Sequence, residues 1–344
     1  MAEHTDRDAI IVGQGLAGSS LAWQLHLRGF TLCVIDPAEE VTSSRVAAGL
    51  ITPITGKRFV QAAEFTEHWS AANTFYRTVE QIVDAQFFTE QGIVRLFKDD
   101  ADREYFLTRK YDRYRETVEL QYDEEGTATG IRMLGARLDS RAFLAATRSF
   151  FDARGDLQER RISGVEEFEP TAERVRYANG SIEAQAVIWC TGFEQQHSEP
   201  FPEVPDSPCR GDILRVRIPE FVSQDVQNCG VWLAPEPDGT FLAGSTYDWT
   251  DLTNTPRSSG RSRILSQLGK FIRQPIEVVD HQAAVRPAMK NARPVWYQHA
   301  EQPRYAVLNG LGARGALWAP LQADQLIDHL LQNQILPAKD KSHR

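Results

Sequence analysis

The sequence predicts an α/β fold, α+β overall, in which a parallel layer is interleaved with a mostly antiparallel β layer. Three observations predict it. A short β-branched run, Asp8–Val12, is followed by Gly13-Gln-Gly-Leu-Ala-Gly18, a segment of helical spacing and a second apolar run. The stretches Asp212–Ile218 and Gly239–Gly244 alternate with period two, as antiparallel strands do. Near its C-terminus the chain returns to an apolar strand, a glycine-rich turn and a helix.

At 344 residues the chain has room for two domains or one large interrupted domain. Its 42% hydrophobic and 25% charged content is that of a soluble globular protein and excludes disorder for most of the chain. Lys and Arg (38) against Asp and Glu (47) leave a net charge of −9, so most of the surface repels nucleic-acid phosphate, with a local basic patch still open. Cys33, Cys190, Cys209 and Cys229 form no Cys-x-x-Cys pair, which points away from a disulfide framework or a metal site and towards a reducing compartment. The start, Met1–Asp8, is polar and acidic, unlike a signal peptide, and the apolar stretch Ala9–Leu27 is interrupted by Gln14, Ser19, Ser20, Gln24 and His26. Neither export nor a membrane span is expected, and the expected location is the cytoplasm.

Taken in order, Asp8–Val12 is the first strand, about Leu16–Arg28 the first helix ending at Gly29, and Thr31–Ile35 the second strand. Such a βαβ unit makes its strands parallel. Glu64 to about Gln86 reads as helix and Phe87–Phe97 as strand. Asp99–Leu120, with Tyr105, Phe106, Tyr111 and Tyr114, reads as an exposed helix whose aromatic stripe packs into the core. A helix starts at Leu138–Ala146, capped by Asp139 or Ser140. Ala186–Cys190 is a buried strand ending in Thr191-Gly192, and Glu199–Pro208, with four prolines, is a linker between layers. Tyr305–Leu308 is the last strand and about Ala316–Leu331 the last helix. Neither an internal repeat nor a low-complexity tract is present.

Gly13, Gly15 and Gly18 form a Gly-x-Gly-x-x-Gly set between strand and helix, with Asp36 about 20 residues on. That context is the Rossmann-like dinucleotide fingerprint. Gly13 permits the turn, Gly15 lets the backbone approach a pyrophosphate, Gly18 lets the helix pack close to the strand, and Asp36 takes the ribose hydroxyls. Leu16 and Ala17 lie between them at the helix start.

At Thr42-Ser-Ser-Arg-Val-Ala-Ala-Gly-Leu50, Val187–Gly192, Arg286-Pro287 and Asn309–Pro320 the sequence resembles the D-amino-acid oxidase (DAO) superfamily of FAD-dependent amine and amino-acid oxidoreductases. Gly310-Leu-Gly-Ala-Arg-Gly315 with Ala319-Pro320-Leu321 is most similar to the FAD domain of the bifunctional tRNA wobble-uridine modification enzymes. Ala47-Ala48-Gly49 and Val285-Arg286-Pro287 are similar to glycine oxidases. The resemblance implies FAD as the cofactor and a discontinuous FAD-binding domain, residues 1–86, 138–205 and 286–344, with a substrate domain of residues 87–137 and 206–285. It also implies that Ser44, Arg45, Ala48 and Gly49 lie along the flavin, Val165 beside the adenine, and Gly192 at the end of the third nucleotide-facing strand. Gly310, Gly312, Ala313, Arg314 and Gly315 precede a helix whose positive end faces the negative charge that develops on a reduced flavin.

Arg286 stands where glycine-oxidase-like members clamp the substrate carboxylate, a task for which a guanidinium fork is suited. A salt bridge between the layers is the structural alternative. Arg314 faces the flavin, faces the substrate acid or caps its loop. Arg286 and Arg314 are thus the catalytic candidates, Lys57 and Arg58 read better as a solvated loop, and His281 reads better as a surface or packed residue than as a base. Tyr247 and Trp249 are the candidate pocket aromatics, with core packing the equal alternative.

The expected function is oxidation of a C–N bond of a small amine or amino acid by hydride transfer to flavin N5. The expected partners are that substrate and oxygen or another electron acceptor, not nucleic acid. Two alternatives stay open: FAD-dependent modification of a tRNA base, and a flavin-bearing binding protein without turnover.

Overall fold

The structure is a computed structural model describing residues 5–61, 64–177, 181–193 and 200–339. β1 (Thr5–Val12), α1 (Leu16–Leu27) and β2 (Leu32–Asp36) form the expected opening unit. α2 (Ser43–Val46) and β3 (Leu50–Ile51) follow, then the small hairpin of β4 (Ile54–Thr55) and β5 (Val60–Gln61). α3 (Phe65–Val83) buries Phe65, Ala72, Phe75, Tyr76 and Val79 at helical spacing.

β6 (Phe88–Leu96) is as expected, but the single helix read over Asp99–Leu120 does not form. α4 (Asp100–Arg109) and α5 (Tyr111–Tyr114) break at Lys110, and β7 (Val118–Tyr122) takes the remainder. Val118 and Leu120 stand opposite Met133 and Ile131 of β8 (Ala128–Leu138), so cross-strand packing outweighs the local helical pattern. Phe106 and Tyr114 of the aromatic stripe are buried, whereas Tyr105 is exposed.

α6 (Ser140–Ala153) is capped by Asp139, whose carboxylate accepts from the Ala142 amide at 3.0 Å. β9 (Leu157–Glu159), β10 (Phe168–Pro170), β11 (Val175–Tyr177) and β12 (Ile182–Trp189) complete the middle of the chain. Of the proline-rich linker, Glu199 lies outside the described residues, and Pro200–Pro208 form no helix or strand. β13 (Cys209–Arg217), β14 (Val226–Asn228), β15 (Trp232–Pro235), β16 (Phe241–Gly244), α7 (Ser258–Leu268) and β17 (Glu277–Arg286) follow. The chain closes with β18 (Val295–Gln298), β19 (Tyr305–Asn309) and α8 (Gly315–Gln332).

Among the described residues the strands make two large sheets. In the first, β19, β12, β1, β2 and β9 run parallel in that order, with β10, β11 and β18 added antiparallel. Its residues alternate between faces. Ala9, Ile11, Val34, Ile188 and Leu308 pack under α1, α3, α6 and α8, while Ile10, Val12, Ile35, Val187 and Val307 pack on the opposite face with Phe168 and Tyr177.

The second sheet runs β17-β13-β16-β15-β14-β6-β8-β3, with β7 beside β8, and only the β6–β14 pair is parallel. β3, within the 1–86 segment, belongs to this sheet through β8. β1 has β2 on one side and β12 on the other, which makes its carboxyl end the point where an open α/β sheet receives a ligand.

Candidate active site

A cleft of about 1180 Å³ opens at the carboxyl ends of β1, β2, β12 and β19 and extends over the second sheet. Ordinary small-ligand pockets hold ~300–1,000 Å³, so this one has room for a dinucleotide with a second molecule beside it.

Gly13 leaves β1 at φ +100°, and a Cβ there would meet the Cys190 carbonyl oxygen at 2.6 Å. A Cβ at Gly18 would fall 1.8 Å from the Gly13 carbonyl oxygen, so α1 packs this close only through glycine. Gly15 faces Ser44, whose Oγ also accepts from the Leu16 amide at 3.1 Å. Neither α1 nor α8 has a side-chain cap from its N-cap residue, which leaves N-terminal amides for an anion in the cleft.

Asp36 ends β2. Its Oδ2 accepts from the Gln14 amide at 2.8 Å, and its Oδ1 accepts from the Ala38 amide at 2.8 Å and from Arg148 at 3.2 Å. Arg148, on α6, also donates to Gln14 Oε1 and Glu159. These bonds fix the carboxylate's orientation and leave acceptor capacity on Oδ2 for ribose hydroxyls.

The loop from Ser44 to Gly49 is held carbonyl by carbonyl. Arg45 O accepts from Arg141 Nε at 2.8 Å, Ala47 O from Ser140 Oγ at 3.2 Å, Ala48 O from Arg137 Nε at 3.2 Å, and Gly49 O from the Leu138 amide at 3.0 Å. All four donors come from the join between β8 and α6. Arg137 also reaches Pro235 O and Glu236, and Arg141 reaches Gln282, so the loop is tied to the second sheet. Gly49 sits at φ +66°, with the Leu138 carbonyl oxygen 1.8 Å from where a Cβ would lie.

The C-terminal turn is joined to both sheets. Asn309, buried at the end of β19, donates to Gly192 O at 2.9 Å and accepts from the Gly310 amide at 2.7 Å. The Gly312 amide donates to Pro287 O at 2.8 Å. α8 starts at Gly315, where a Cβ would meet Leu16 Cδ1 at 2.8 Å, so the starts of α1 and α8 lie side by side.

At the other end of the cleft Arg286 closes β17. Its guanidinium lies against Gly211, stands 4.8 Å from the Tyr247 ring centroid and donates to Thr246 O at 3.3 Å. It makes no ion pair among the described residues. Behind it, Thr246 Oγ1 accepts from the Asp212 amide at 2.8 Å and donates to the Asp212 carboxylate at 2.7 Å. Asp212 is fully buried and is matched by Arg210 at 3.4 Å and His281 Nε2 at 3.0 Å. His281 therefore bonds Asp212 and does not line the cleft. Burial pushes the Cys209 thiol up, against the opposing pull of Arg286, and leaves it neutral.

Gly13, Gly15, Leu16, Ala17, Asp36, Ser44, Ala48, Gly49, Gly192, Gly312, Ala313, Arg314, Gly315, Tyr247 and Arg286 all line this cleft. Gly18 and Gly310 lie beneath its surface; a Cβ at Gly310 would meet Met289 Cγ at 2.6 Å. Arg45 does not line it, because α2 turns Ser44 and Val46 inward instead. Val165 is displaced from the lining: the chain passes the cleft at Arg160–Ser163, and Val165 packs into the core beside Phe168. Trp249 stacks outside Tyr247 at 6.0 Å and is 60% exposed. Lys57, read as a solvated loop residue, lines the cleft mouth, while Arg58 does not.

Arg95, Arg137, Arg141, Arg148 and Asn309 carry no role in the sequence reading. Arg95 alone left a visible signal, as a charge inside the apolar run Ile93-Val-Arg-Leu96. Among the described residues no group of His, Cys, Asp and Glu is arranged to hold a metal, and no helix is long and apolar enough to cross a membrane.

The residues present fit a flavin dinucleotide: two helix starts without a side-chain cap from their own N-cap residues, for phosphate and flavin charge, an oriented carboxylate for ribose, and glycines at the close approaches of the backbone. The family described as FAD dependent oxidoreductase (DAO) matches residues 8–329. Two curated relatives are tRNA 5-methylaminomethyl-2-thiouridine biosynthesis bifunctional proteins MnmC. That of Marinobacter nauticus is 25% identical over 94% of this chain and 55% of its own, and that of Caulobacter vibrioides 27% identical over 93% and 54%. The chain spans about half the length of these relatives. Among solved structures, glycine oxidase from Geobacillus kaustophilus superposes with a TM-score of 0.78 at 18% identity, covering 98% of this chain and 97% of its own. Iminodiacetate oxidase from Chelativorans sp. BNC1 gives 0.76 at 18% identity, covering 98% of both chains. The fold is theirs, and on the family match the chain belongs to the DAO family of FAD-dependent oxidoreductases, with FAD as its cofactor.

Proposed function

We propose that the protein oxidises a C–N bond of a small amine or amino acid, bound FAD taking the hydride at flavin N5 and oxygen or another acceptor reoxidising it. The observation that carries this reading is Arg286, a guanidinium on the cleft wall with no carboxylate partner among the described residues. Its planar fork suits a substrate carboxylate, and Tyr247 covers its face. Asp212 and Thr246 hold the carbonyl to which Arg286 is anchored, which fixes the direction of the fork. The start of α8 supplies positive potential where charge develops.

Among the described residues no histidine lines the cleft, and its only carboxylates, Asp36 and Glu39, lie at the ribose end. That favours direct hydride loss from a neutral amine, giving an iminium ion that releases its extra proton to solvent and is hydrolysed by water. The four free, buried cysteines favour a cytoplasmic setting. Anaerobic addition of amines and amino acids to the FAD-loaded protein tests the reading: one of them should bleach the flavin spectrum.

A second reading, action on a modified tRNA base, is favoured by the names of the relatives and by Lys57 and Lys98 at the cleft mouth. It expects salt-dependent retention of tRNA, and no retention at low salt removes it.

A further inference from the structure

We propose that the cleft contains a second anion site, formed by Arg95 and Arg314 at the β4–β5 hairpin, and that the substrate is an amine carrying two anionic groups. One group goes to Arg286 and the other to this pair; the inference rests on the amine-oxidation reading.

Arg95 lines the cleft, is only 9% exposed and makes no ion pair among the described residues. Its guanidinium sits 3.6 Å from the Phe59 ring centroid and donates to Gly56 O at 2.7 Å. Asp102, the carboxylate whose charge acts on it, forms no ion pair with it and accepts from the Lys98 amide at 3.3 Å. Burial pushes the pKa of Arg95 down, the direction expected of a charge without adequate compensation. A desolvated cation is costly unless a counter-charge arrives, and a cleft-lining one obtains it from a ligand.

Arg314 supplies the second half. It donates to Thr55 Oγ1 at 3.1 Å and likewise makes no ion pair among the described residues. Thr55 and Gly56 are consecutive, so the two guanidinium groups grip adjacent residues of one turn, and Lys57 follows at the mouth. The Gly312 amide bound to Pro287 O keeps Arg286 close to the same turn before α8. Arg95, Arg314, Lys57 and Arg286 thus line the same cleft, whereas its carboxylates are Asp36, engaged by Arg148, and Glu39, engaged by Arg161. A monoanionic amino acid satisfies Arg286 and leaves the hairpin pair unmatched. An aminodicarboxylate or a phosphate-bearing amine satisfies both.

The test is equilibrium binding to the FAD-loaded protein, read by perturbation of the flavin spectrum. The probes are acetate, succinate and inorganic phosphate, followed by anaerobic reduction with glycine and with iminodiacetate. Succinate or phosphate should bind at least tenfold tighter than acetate, and the tighter of the two identifies the distal group as carboxylate or phosphate. Arg95→Gln should reduce that preference at least tenfold, Arg95→Lys should restore part of it, and Lys57→Gln, at an exposed position, should reduce it about threefold by weakening the local field. Equal binding of all three probes by the unmodified protein overturns the site, as does an unchanged preference in folded Arg95→Gln. If Arg95→Gln does not fold, an unchanged preference in Lys57→Gln also overturns it. Dianion preference without reduction by any amine sinks amine oxidation and not the site. Reduction by glycine and iminodiacetate with equal affinity does the reverse.

Discussion

The hydroxyl of Tyr76 donates to the carbonyl oxygen of Ala316 at 3.0 Å and replaces the amide that Pro320 lacks. In a regular helix the residue four positions on bonds this carbonyl, and proline has no N–H to give. α8 thus keeps a proline one turn from the cleft because a buried tyrosine on α3 completes it. Burial also pushes the Tyr76 hydroxyl's pKa up, so it remains a donor.

Tyr76→Phe should lower stability by about 1–3 kcal/mol, since it leaves a buried carbonyl unsatisfied. In a Pro320→Ala background the helix supplies its own amide and the loss should fall below about 1 kcal/mol. Urea unfolding of the four proteins of this double-mutant cycle measures the coupling.

Arg286→Met should raise KM for a carboxylate-bearing substrate about 100-fold, the loss of a charge-assisted pair of bonds, while the flavin spectrum stays the same. Arg286→Lys should recover only part, because an ammonium has no planar fork. Steady-state kinetics with both variants decides it.

Arg137 connects Ala48 O of the Ser44–Gly49 loop to Pro235 at the end of β15 and to the adjacent Glu236. Arg137→Ala should weaken FAD binding about tenfold, the equivalent of ~1.4 kcal/mol, and broaden the bound flavin's visible spectrum. Titration of the apoprotein with FAD provides the number. Unaltered affinity would show that Ser140, Arg141 and Leu138 hold the loop alone.

Much of this site was legible because it depends on local pattern. Gly13, Gly15, Gly18 and Asp36 sit at fixed offsets around a strand and a helix, and that spacing has one geometric meaning. The terminal glycines and Gly192 were legible by resemblance. Arg137, Arg141 and Arg148 were not, since a long side chain bonding a distant carbonyl leaves no periodic trace. Val165 shows the cost of spacing without a motif, because the cleft is reached a few residues earlier, at Ile162 and Ser163. The helix read over Asp99–Leu120 failed where Val118 and Leu120 had strand partners remote in sequence.

Cys33 gives a pH prediction. Burial pushes its thiol from 9.0 up to about 12, so between those values the unfolded chain releases a proton that the folded chain keeps. The associated stability is complete below pH 9.0 and is lost as pH rises towards about 12. Cys33→Ala should flatten the fall in unfolding free energy across this window by up to about 1.4 kcal/mol per pH unit. Urea unfolding at stepped alkaline pH measures it, and an unchanged slope would mean that Cys33 ionises freely in the folded protein.

The most direct test of the account is the anaerobic visible spectrum of the purified protein before and after a panel of amines and amino acids. The expected result is a bound flavin that bleaches with a carboxylate-bearing amine, and with Arg286→Met only at much higher concentration. A protein that takes up no flavin even when FAD is added, or a bound flavin that no amine reduces, would contradict it.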